Sequence, residues 1–531
     1  MSTAMSLGAE PAIWRPAANP WLIAVTVSLA AFMEVLDTAI ANVALPHIAG
    51  SLGASNDQST WVLTSYLVAN AIVLPITGWL VSLFGRKRFF MTCMGIFTVS
   101  SLLCGIAPSL GFLLLFRVLQ GAGGGGLQPM AQAILADTFP PEKRGLAFSI
   151  YGITAVCAPA IGPTLGGWIT DTASWRWIFL INLPVGLIAL ALVYRLVEDP
   201  PQVIRRKRSG IKLDYVGFSL LALGVGALQI MLDKGQEDDW FGSHFILTLA
   251  VTAGVCLTAL IIYEWFQEDP IVDVRLFKNA NFATANMMMF MVGAVSFATT
   301  VLMPQFLQTL MGYTAQSAGM VLSVSAILLL FELPVVGRLI AQFQSRYLIA
   351  AGWIALALGM YISAKKLDLL ISFPAATWLR IGQYLPMGFI FVPATTAAYF
   401  GIGEDKSNAV AGLVNFTRNI GSSVGTSIMT TMIVRRSQFH QARLVTSMGN
   451  TRFQDALNGL AQQLNHAGLG LHAAQRQALS RIYAAVQGQA AVLAYIDTYW
   501  MLGVAAVIMF FLSFVLKKND PHASRGSVPA H

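Results

Sequence analysis

Residues 21–44 read Trp-Leu-Ile-Ala-Val-Thr-Val-Ser-Leu-Ala-Ala-Phe-Met-Glu-Val-Leu-Asp-Thr-Ala-Ile-Ala-Asn-Val-Ala, with Glu34 and Asp37 as the only charges. At 1.5 Å rise per residue, about 20 residues cross the hydrocarbon core of a bilayer, so this block spans it as one helix. Val62–Phe84, Phe89–Ala107 and Ala490–Leu516 are similar blocks. All are too long and too poor in strict alternation for barrel strands. Helices are then the way their backbone groups are satisfied in lipid. Composition agrees: 56% of the 531 residues are hydrophobic and 11% charged, against roughly a quarter charged in soluble domains. The expected class is an all-α polytopic membrane protein.

Apolar blocks between polar punctuation give expected spans at 21–44, 60–83, 89–108, 111–136, 145–170 and 176–196. Two follow at 214–232 and 245–266, and six at 282–303, 318–341, 347–364, 374–398, 408–433 and 490–516. With the N-terminus inside, the inside loops collect about nineteen Lys/Arg and the short outside loops about four. The inside set includes Arg86, Lys87, Arg88, Lys143, Arg144, Arg205–Arg208, Arg275, Lys278, Lys517 and Lys518; the outside set is Arg176, Lys234, Lys365 and Lys366. Both termini are therefore expected on the cytoplasmic side. Residues 1–20 lack a basic n-region and a cleavage site, so the first span is expected to be retained. The net charge of +8 sits between spans, which points to topology and anionic headgroups of the lipid bilayer rather than to nucleic acid.

An internal repeat divides the chain. Phe116-Arg-Val-Leu-Gln120 corresponds to Leu379-Arg-Ile-Gly-Gln383, and the same offset of 263 carries Gly162 onto Gly425. Gly78-Trp-Leu80 with Phe84 echoes Gly337-Arg-Leu339 with Phe343. Repeats of this kind mark secondary transporters, whose substrate site lies near the midplane between the halves. The expected layout is two pseudo-symmetric six-helix bundles, 21–196 and 282–516, about 14 spans in all. A cytoplasmic tail (1–20), a basic linker (197–213), two inserted spans (214–266), a second linker (267–281) and a C-terminal tail (517–531) complete it. The polar stretch 435–488 reads as a long periplasmic loop. Its segments Phe453–Leu464 and Ala473–Val486 have helical periodicity with one apolar face, fitting either a self-packed cap or a docking surface.

Charges inside hydrocarbon are costly, about 2.5–3.5 kcal/mol on insertion scales, so the few present are the best pointers to chemistry. Glu34 and Asp37, three residues apart, lie about a turn apart on one helix face. Two close carboxylates in a low-dielectric site do not both ionise cheaply, which suits a proton carrier. The alternative is a structural ion pair with Arg117, whose permanent charge needs a partner at about that depth. Gln120 lies one turn from Arg117. Arg380 and Gln383 repeat the arrangement, with Asp497 or Glu332 as possible partners for Arg380. Glu332 reads equally as a pathway carboxylate or as a residue solvated near the cytoplasmic end. Gln305, Gln308 and Tyr313 close a Met-rich span (Asn286-Met-Met-Met-Phe-Met291), which fits an adaptable substrate lining or ordinary core.

Gly121-Ala-Gly-Gly-Gly-Gly126 follows no strand and lacks a Lys-Ser/Thr ending, so it is not a phosphate loop. It reads as close backbone packing. Ala158-Pro-Ala-Ile-Gly-Pro-Thr-Leu-Gly-Gly167 reads as a kinked, flat helix surface, for packing or for flexing. No nucleophile–base triad, metal-ligand cluster or nucleotide site is legible, which weighs against an enzyme or an ATP-driven pump; no cofactor and no metal are expected. Cys93, Cys104, Cys157 and Cys256 lie in apolar blocks and read as packing residues.

These segments together resemble the fourteen-span drug:proton antiporters of the major facilitator superfamily, the EmrB/QacA type. Leu36–Pro46 is similar to that family's first-span signature. Gly78-Trp-Leu-Val-Ser-Leu-Phe-Gly-Arg-Lys-Arg88, with Gly78, Gly85 and Arg86, resembles the loop motif after the second span. Leu115-Phe-Arg-Val-Leu-Gln-Gly121 resembles the fourth-span motif, whose arginine the family links to proton transfer. Gly162-Pro-Thr-Leu-Gly-Gly167, with Gly162, Pro163, Gly166 and Gly167, resembles the antiporter motif. Trp175–Gly186, Leu232–Gln236 and Asn415–Gly421 also resemble this branch. The chain departs from the family at Ser82, where an acidic residue is usual, at Ala158 in place of glycine, and at Glu34, usually uncharged. The resemblance implies proton-coupled efflux by alternating access, with Asp37, Glu34 and Arg117 in coupling. It further implies a bacterial inner membrane and a periplasmic adaptor with an outer-membrane channel as partners. A nutrient symporter and a non-transporting sensor remain the alternatives.

Overall fold

A computed structural model describes residues 16–199, 214–403, 406–448 and 450–518. Most of the expected terminal tails, and residues 200–213 of the basic linker with Arg205–Arg208, lie outside the described residues. The described residues are helical, with no strand among them.

The first half comprises α1 (Pro20–Leu52), α2 (Asn56–Phe84), α3 (Arg86–Gly105), α4 (Leu110–Gly124), α5 (Leu127–Thr138), α6 (Pro141–Thr172), α7 (Trp177–Leu180) and α8 (Asn182–Leu196). Then come α9 (Tyr215–Lys234) and α10 (His244–Phe266). The second half comprises α11 (Ala280–Thr309), α12 (Ala315–Leu339), α13 (Ser345–Lys366), α14 (Phe373–Tyr384), α15 (Pro386–Ala398), α16 (Ser407–Met448), α17 (Asn450–His466) and α18 (Leu471–Leu512). Among the described residues, eleven helical stretches, with α4–α5 and α7–α8 each counted as one, are long and apolar enough to cross a membrane, by length and composition. Large apolar side chains such as Trp378, Phe266 and Phe331 face outward, while Arg117, Arg380 and Gln120 are buried. That inversion fits a lipid environment, and the chain is a multi-pass membrane protein.

Local chemistry sets the helix ends. The Asn19 side chain caps α1 by accepting from the Trp21 N–H, with Pro20 at the first position. Ser55 and Gln58 form a reciprocal capping box on α2, which satisfies two donors that a helix start leaves free. Gly85 joins α2 to α3 at φ +82°, a backbone region that L side chains rarely adopt.

The expected spans 111–136, 176–196 and 374–398 are each broken into two helices. Pro386 has no N–H to continue the ladder after α14. Between α4 and α5, Gly124–Gly126 lets neighbouring backbone come close. A Cβ on Gly125 would lie 2.7 Å from the Asn70 carbonyl, and one on Gly123 2.8 Å from that of Cys93. The stretch 435–488 is largely helical, and its two segments of helical periodicity, 453–464 and 473–486, lie within α17 and α18. α16 runs unbroken to Met448, α17 follows, and α18 begins at Leu471. Hydropathy marks where lipid ends, whereas Arg, Gln and Ala are good helix formers beyond it. α17 packs on α18 around Ala461, Leu464, Ala474 and Ala478.

The halves meet along α6–α12 and α2–α16, and α9 lies on both α2 and α16. At one end, a Cβ on Gly78 would sit 3.0 Å from Ala409 Cα, and one on Gly145 3.0 Å from the Gly337 carbonyl. At the other end, Thr164 and Ser323 hydroxyls are 3.1 Å apart, and Trp240 donates to Thr431 at 3.0 Å.

Candidate functional site

Two polar networks occupy the apolar interior of the first half, one turn apart on α1. In the first, Arg117 Nη1 lies 2.6 Å from Asp37 Oδ2, with both side chains at 1% exposure or less. Asp37 Oδ1 accepts from Gln120 Nε2 at 3.0 Å and from Asn182 Nδ2 at 2.6 Å. Ser101 Oγ accepts from both amides and donates to the Phe179 carbonyl. Arg117 also donates to Gln120 Oε1 at 2.8 Å and, from Nε, to the Val62 carbonyl at 3.0 Å. A helical spacing of three brings Arg117 and Gln120 onto one face of α4. A buried pair of this kind is held by the donors that satisfy its remaining lone pairs.

In the second network, Glu34 Oε1 accepts from Tyr66 Oη and Asn70 Nδ2, both at 2.9 Å. Its Oε2 accepts from Gln128 Nε2 at 2.5 Å. Gln128 Oε1 in turn accepts from Arg418 Nη2 on α16 and from Tyr151 Oη at 3.3 Å. The single Tyr151 hydroxyl hydrogen is shared between that contact and the closer Asn415 Oδ1 at 2.8 Å, and Asn415 donates to Gln132 at 2.6 Å. Glu34 is thus wired through α5 and α6 to the second half, while Asp37 is enclosed within the first. The two carboxylates, read together from their spacing, serve different surroundings with Tyr66 between them.

Arg380 in the second half is fully buried. Its Nη2 donates to Thr300 Oγ1 at 2.8 Å, and neither carboxylate expected for it comes near. Asp497 pairs with Arg436 at 2.6 Å and with His440 at 2.7 Å, toward the α16 extension. Tyr499, two residues on, is the buried one; side chains two apart on a helix do not share a face. Glu332 lies against Gly388, two turns along from Arg380, and its buried oxygens have no hydrogen-bond partner among the described residues. Gln383 donates to Ser363 at 2.9 Å. Gln305 and Gln308 are exposed near the end of α11, outside both networks. Tyr313 stacks on Phe373 with centroids 6.5 Å apart. In the Met-rich stretch Met288 and Met289 are core, whereas Met287 faces outward.

The motif residues mostly make contacts between helices. Arg86 pairs with Asp137 at 2.5 Å, and Asp137 also accepts from Ser407 at 2.9 Å, so the loop motif reaches the first turn of α16. Ser82 spends its hydroxyl on the Trp79 carbonyl of its own helix. A Cβ on Gly162 would overlap that of Ala39, and one on Gly166 would lie 3.0 Å from Ile40; these glycines seat α6 on α1 beside the helix-internal Pro163. Gly167 faces open space.

Sequence reasoning did not single out Tyr66 or Gln128, and it named Asn182 and Arg418 only within the segments Trp175–Gly186 and Asn415–Gly421, with no role of their own. Arg418 carried the clearest signal, a charge in the middle of the expected span 408–433. The uncharged three look like ordinary helix residues until their partners are known.

Residues 27–426 match the family model described as Major Facilitator Superfamily. The chain is 38% identical to the multidrug export protein EmrB of Haemophilus influenzae, over 92% of this chain and 95% of that protein. It is also 38% identical to the fatty acid resistance protein FarB of Neisseria gonorrhoeae, over 86% and 88% respectively. Among solved structures it resembles the proton:xylose symporter XylE with a TM-score of 0.60 at 14% identity, over 94% of this chain and 97% of that one. That last likeness concerns the fold.

Proposed function

Because the chain belongs to the major facilitator superfamily, among efflux transporters of the multidrug-export type, we propose that it expels small amphipathic compounds in exchange for protons. The observation that carries this reading is the buried Arg117–Asp37 pair, whose carboxylate also accepts from Gln120 and Asn182, both of them tied to Ser101. A carboxylate held this way is a proton-exchange group: binding a proton cancels its charge and releases its grip on Arg117, and losing it restores the pair. Glu34, joined through Gln128 to Arg418, links the charge state of α1 to the contact between the halves. Rocking of the halves would expose this region to each side in turn.

The same reading has fourteen spans, both termini in the cytoplasm and a bacterial inner membrane. α6, α14 with α15, and α16 supply the three spans beyond the eleven. The α16–α18 extension would then stand in the periplasm, where an adaptor and an outer-membrane channel would continue the route. The names of the relatives support compounds as diverse as drugs and fatty acids as cargo.

Vesicles with an imposed pH gradient test the proposal. The intact protein should drive dye or drug movement against the proton flow, and Asp37→Asn should insert normally yet fail to do so. Undiminished export by Asp37→Asn would remove this carboxylate from the mechanism. Movement of substrate in the same direction as protons would make the chain a symporter.

A further inference from the structure

By the repeat offset, Arg380 takes in the second half the place that Arg117 holds in the first, and part of its surroundings repeats. The two arginines are 263 residues apart, as are Gln120 and Gln383. Gln120 donates to Ser101 at 3.1 Å and Gln383 to Ser363 at 2.9 Å. A tyrosine ring centroid lies 4.2 Å from each guanidinium carbon, that of Tyr66 in one case and Tyr384 in the other. The same offset carries Asp37 onto Thr300. Thr300 Oγ1 accepts from Arg380 Nη2 at 2.8 Å, where Asp37 accepts from Arg117 at 2.6 Å. The second site thus has a hydroxyl where the first has a carboxylate. It also lacks the bonds that Arg117 makes to Gln120 Oε1 and the Val62 carbonyl, since Gln383 Oε1 and two nitrogens of Arg380 have no partner among the described residues.

That exchange leaves a charge without its opposite. A guanidinium keeps its proton in proteins, and an unpaired buried charge is strongly unfavourable. Arg380 is fully buried, and its Nε and Nη1 reach no acceptor among the described residues. Thr300 already donates its hydroxyl hydrogen to the Ser296 carbonyl at 2.7 Å, so it offers Arg380 a lone pair and no charge. Asp497 and Glu332, the acids considered for it, are engaged or placed elsewhere.

We propose that Arg380 is the centre of an anion site in the second half, filled by a monovalent anionic group that its Nε and Nη1 would hold beside Thr300. The group is either the carboxylate of an amphipathic acid or a halide ion. Its role in transport rests on the exporter reading, but its binding does not. An acidic cargo held there would meet a fixed positive charge in one half while proton exchange proceeds in the other.

The test uses the full-length protein, purified in lipid nanodiscs, with thermal unfolding followed in chloride-free sodium gluconate at constant ionic strength. Sodium chloride, sodium decanoate and neutral decanol are titrated separately into wild type, Arg380→Gln and Thr300→Asp. A saturable rise in unfolding temperature is expected with chloride or with decanoate, but not with decanol. Both variants should weaken it by at least about tenfold, the equivalent of one charge-assisted hydrogen bond. A response to chloride alone identifies a halide site, and a response to decanoate alone a site for the cargo's carboxylate. Thr300→Asp keeps the arginine and supplies an internal anion, so it remains decisive if Arg380→Gln does not fold. The absence of any saturable response in wild type, or one unchanged in Thr300→Asp, overturns the proposal. Loss of proton-driven export with anion binding intact would count against the exporter reading alone.

Discussion

The Tyr66 hydroxyl donates to Glu34 at 2.9 Å, while the face of the same ring lies 4.2 Å from the Arg117 guanidinium carbon. One side chain of α2 therefore touches both charged networks of the first half. It separates the two carboxylates of α1 sterically and joins their surroundings electrostatically, since a ring face attracts a cation.

Tyr66→Phe keeps the ring against Arg117 and removes the donor to Glu34. A buried carboxylate that loses one donor costs about 1–3 kcal/mol. The variant should unfold at lower temperature than wild type, and its export should fall although Asp37 and Arg117 are untouched. Wild-type export at a lowered melting temperature would make Tyr66 a packing residue only.

Asp37 and Arg117 should behave as a unit. Asp37→Leu leaves a buried guanidinium without its counter-charge, a loss of about 3–5 kcal/mol. Adding Arg117→Met removes that orphan, so the double variant should recover much of the stability while remaining inactive. Stabilities that simply add across a double-mutant cycle would mean that the 2.6 Å contact carries no coupling.

The glycines of α6 should divide by what they touch. Gly162→Val drives a side chain into Ala39, and overpacking of this kind costs about 1–3 kcal/mol. Gly167→Ala meets open space and should change the melting temperature little. Equal effects at the two positions would show that chain flexibility, not the α1–α6 contact, is what these glycines supply.

Asp137 ties Arg86 to Ser407, and so the first half to the start of α16. Asp137→Asn weakens both bonds, and the halves should separate more readily at this end. A cysteine introduced as Ala409→Cys, packed against Gly78, should then react faster with a membrane-impermeant maleimide applied from the side that this end faces. A rate unchanged by Asp137→Asn would leave closure to the glycine contacts at Gly78 and Gly145.

Much of the molecule is legible in the sequence alone. Long apolar blocks require a helical membrane protein, because lipid offers no partner for an exposed peptide group. The rarity of charge within those blocks singled out Glu34, Asp37, Arg117, Arg380 and Glu332. The repeat of Phe116–Gln120 in Leu379–Gln383 made Arg117 and Arg380 counterparts. Helix ends beyond lipid were not readable. α16 and α18 continue well past their apolar stretches because helix propensity and hydropathy are separate properties.

The sequence by itself determined which side chains are too costly to bury without partners, since that cost depends only on residue type and the length of apolar chain around it. The tertiary structure alone decided who those partners are. Helix spacing put Glu34 and Asp37 on one side of α1, but only packing turned one toward Arg117 and the other, through Gln128, toward Arg418. Nor could spacing within α18 exclude Asp497 as the partner of Arg380; the rotation of that helix put Tyr499 inside, and the residue that Arg380 meets is the neutral Thr300 of α11. Hydrogen bonds act over about 3 Å, and distances that short between segments hundreds of residues apart are fixed only when the helices pack.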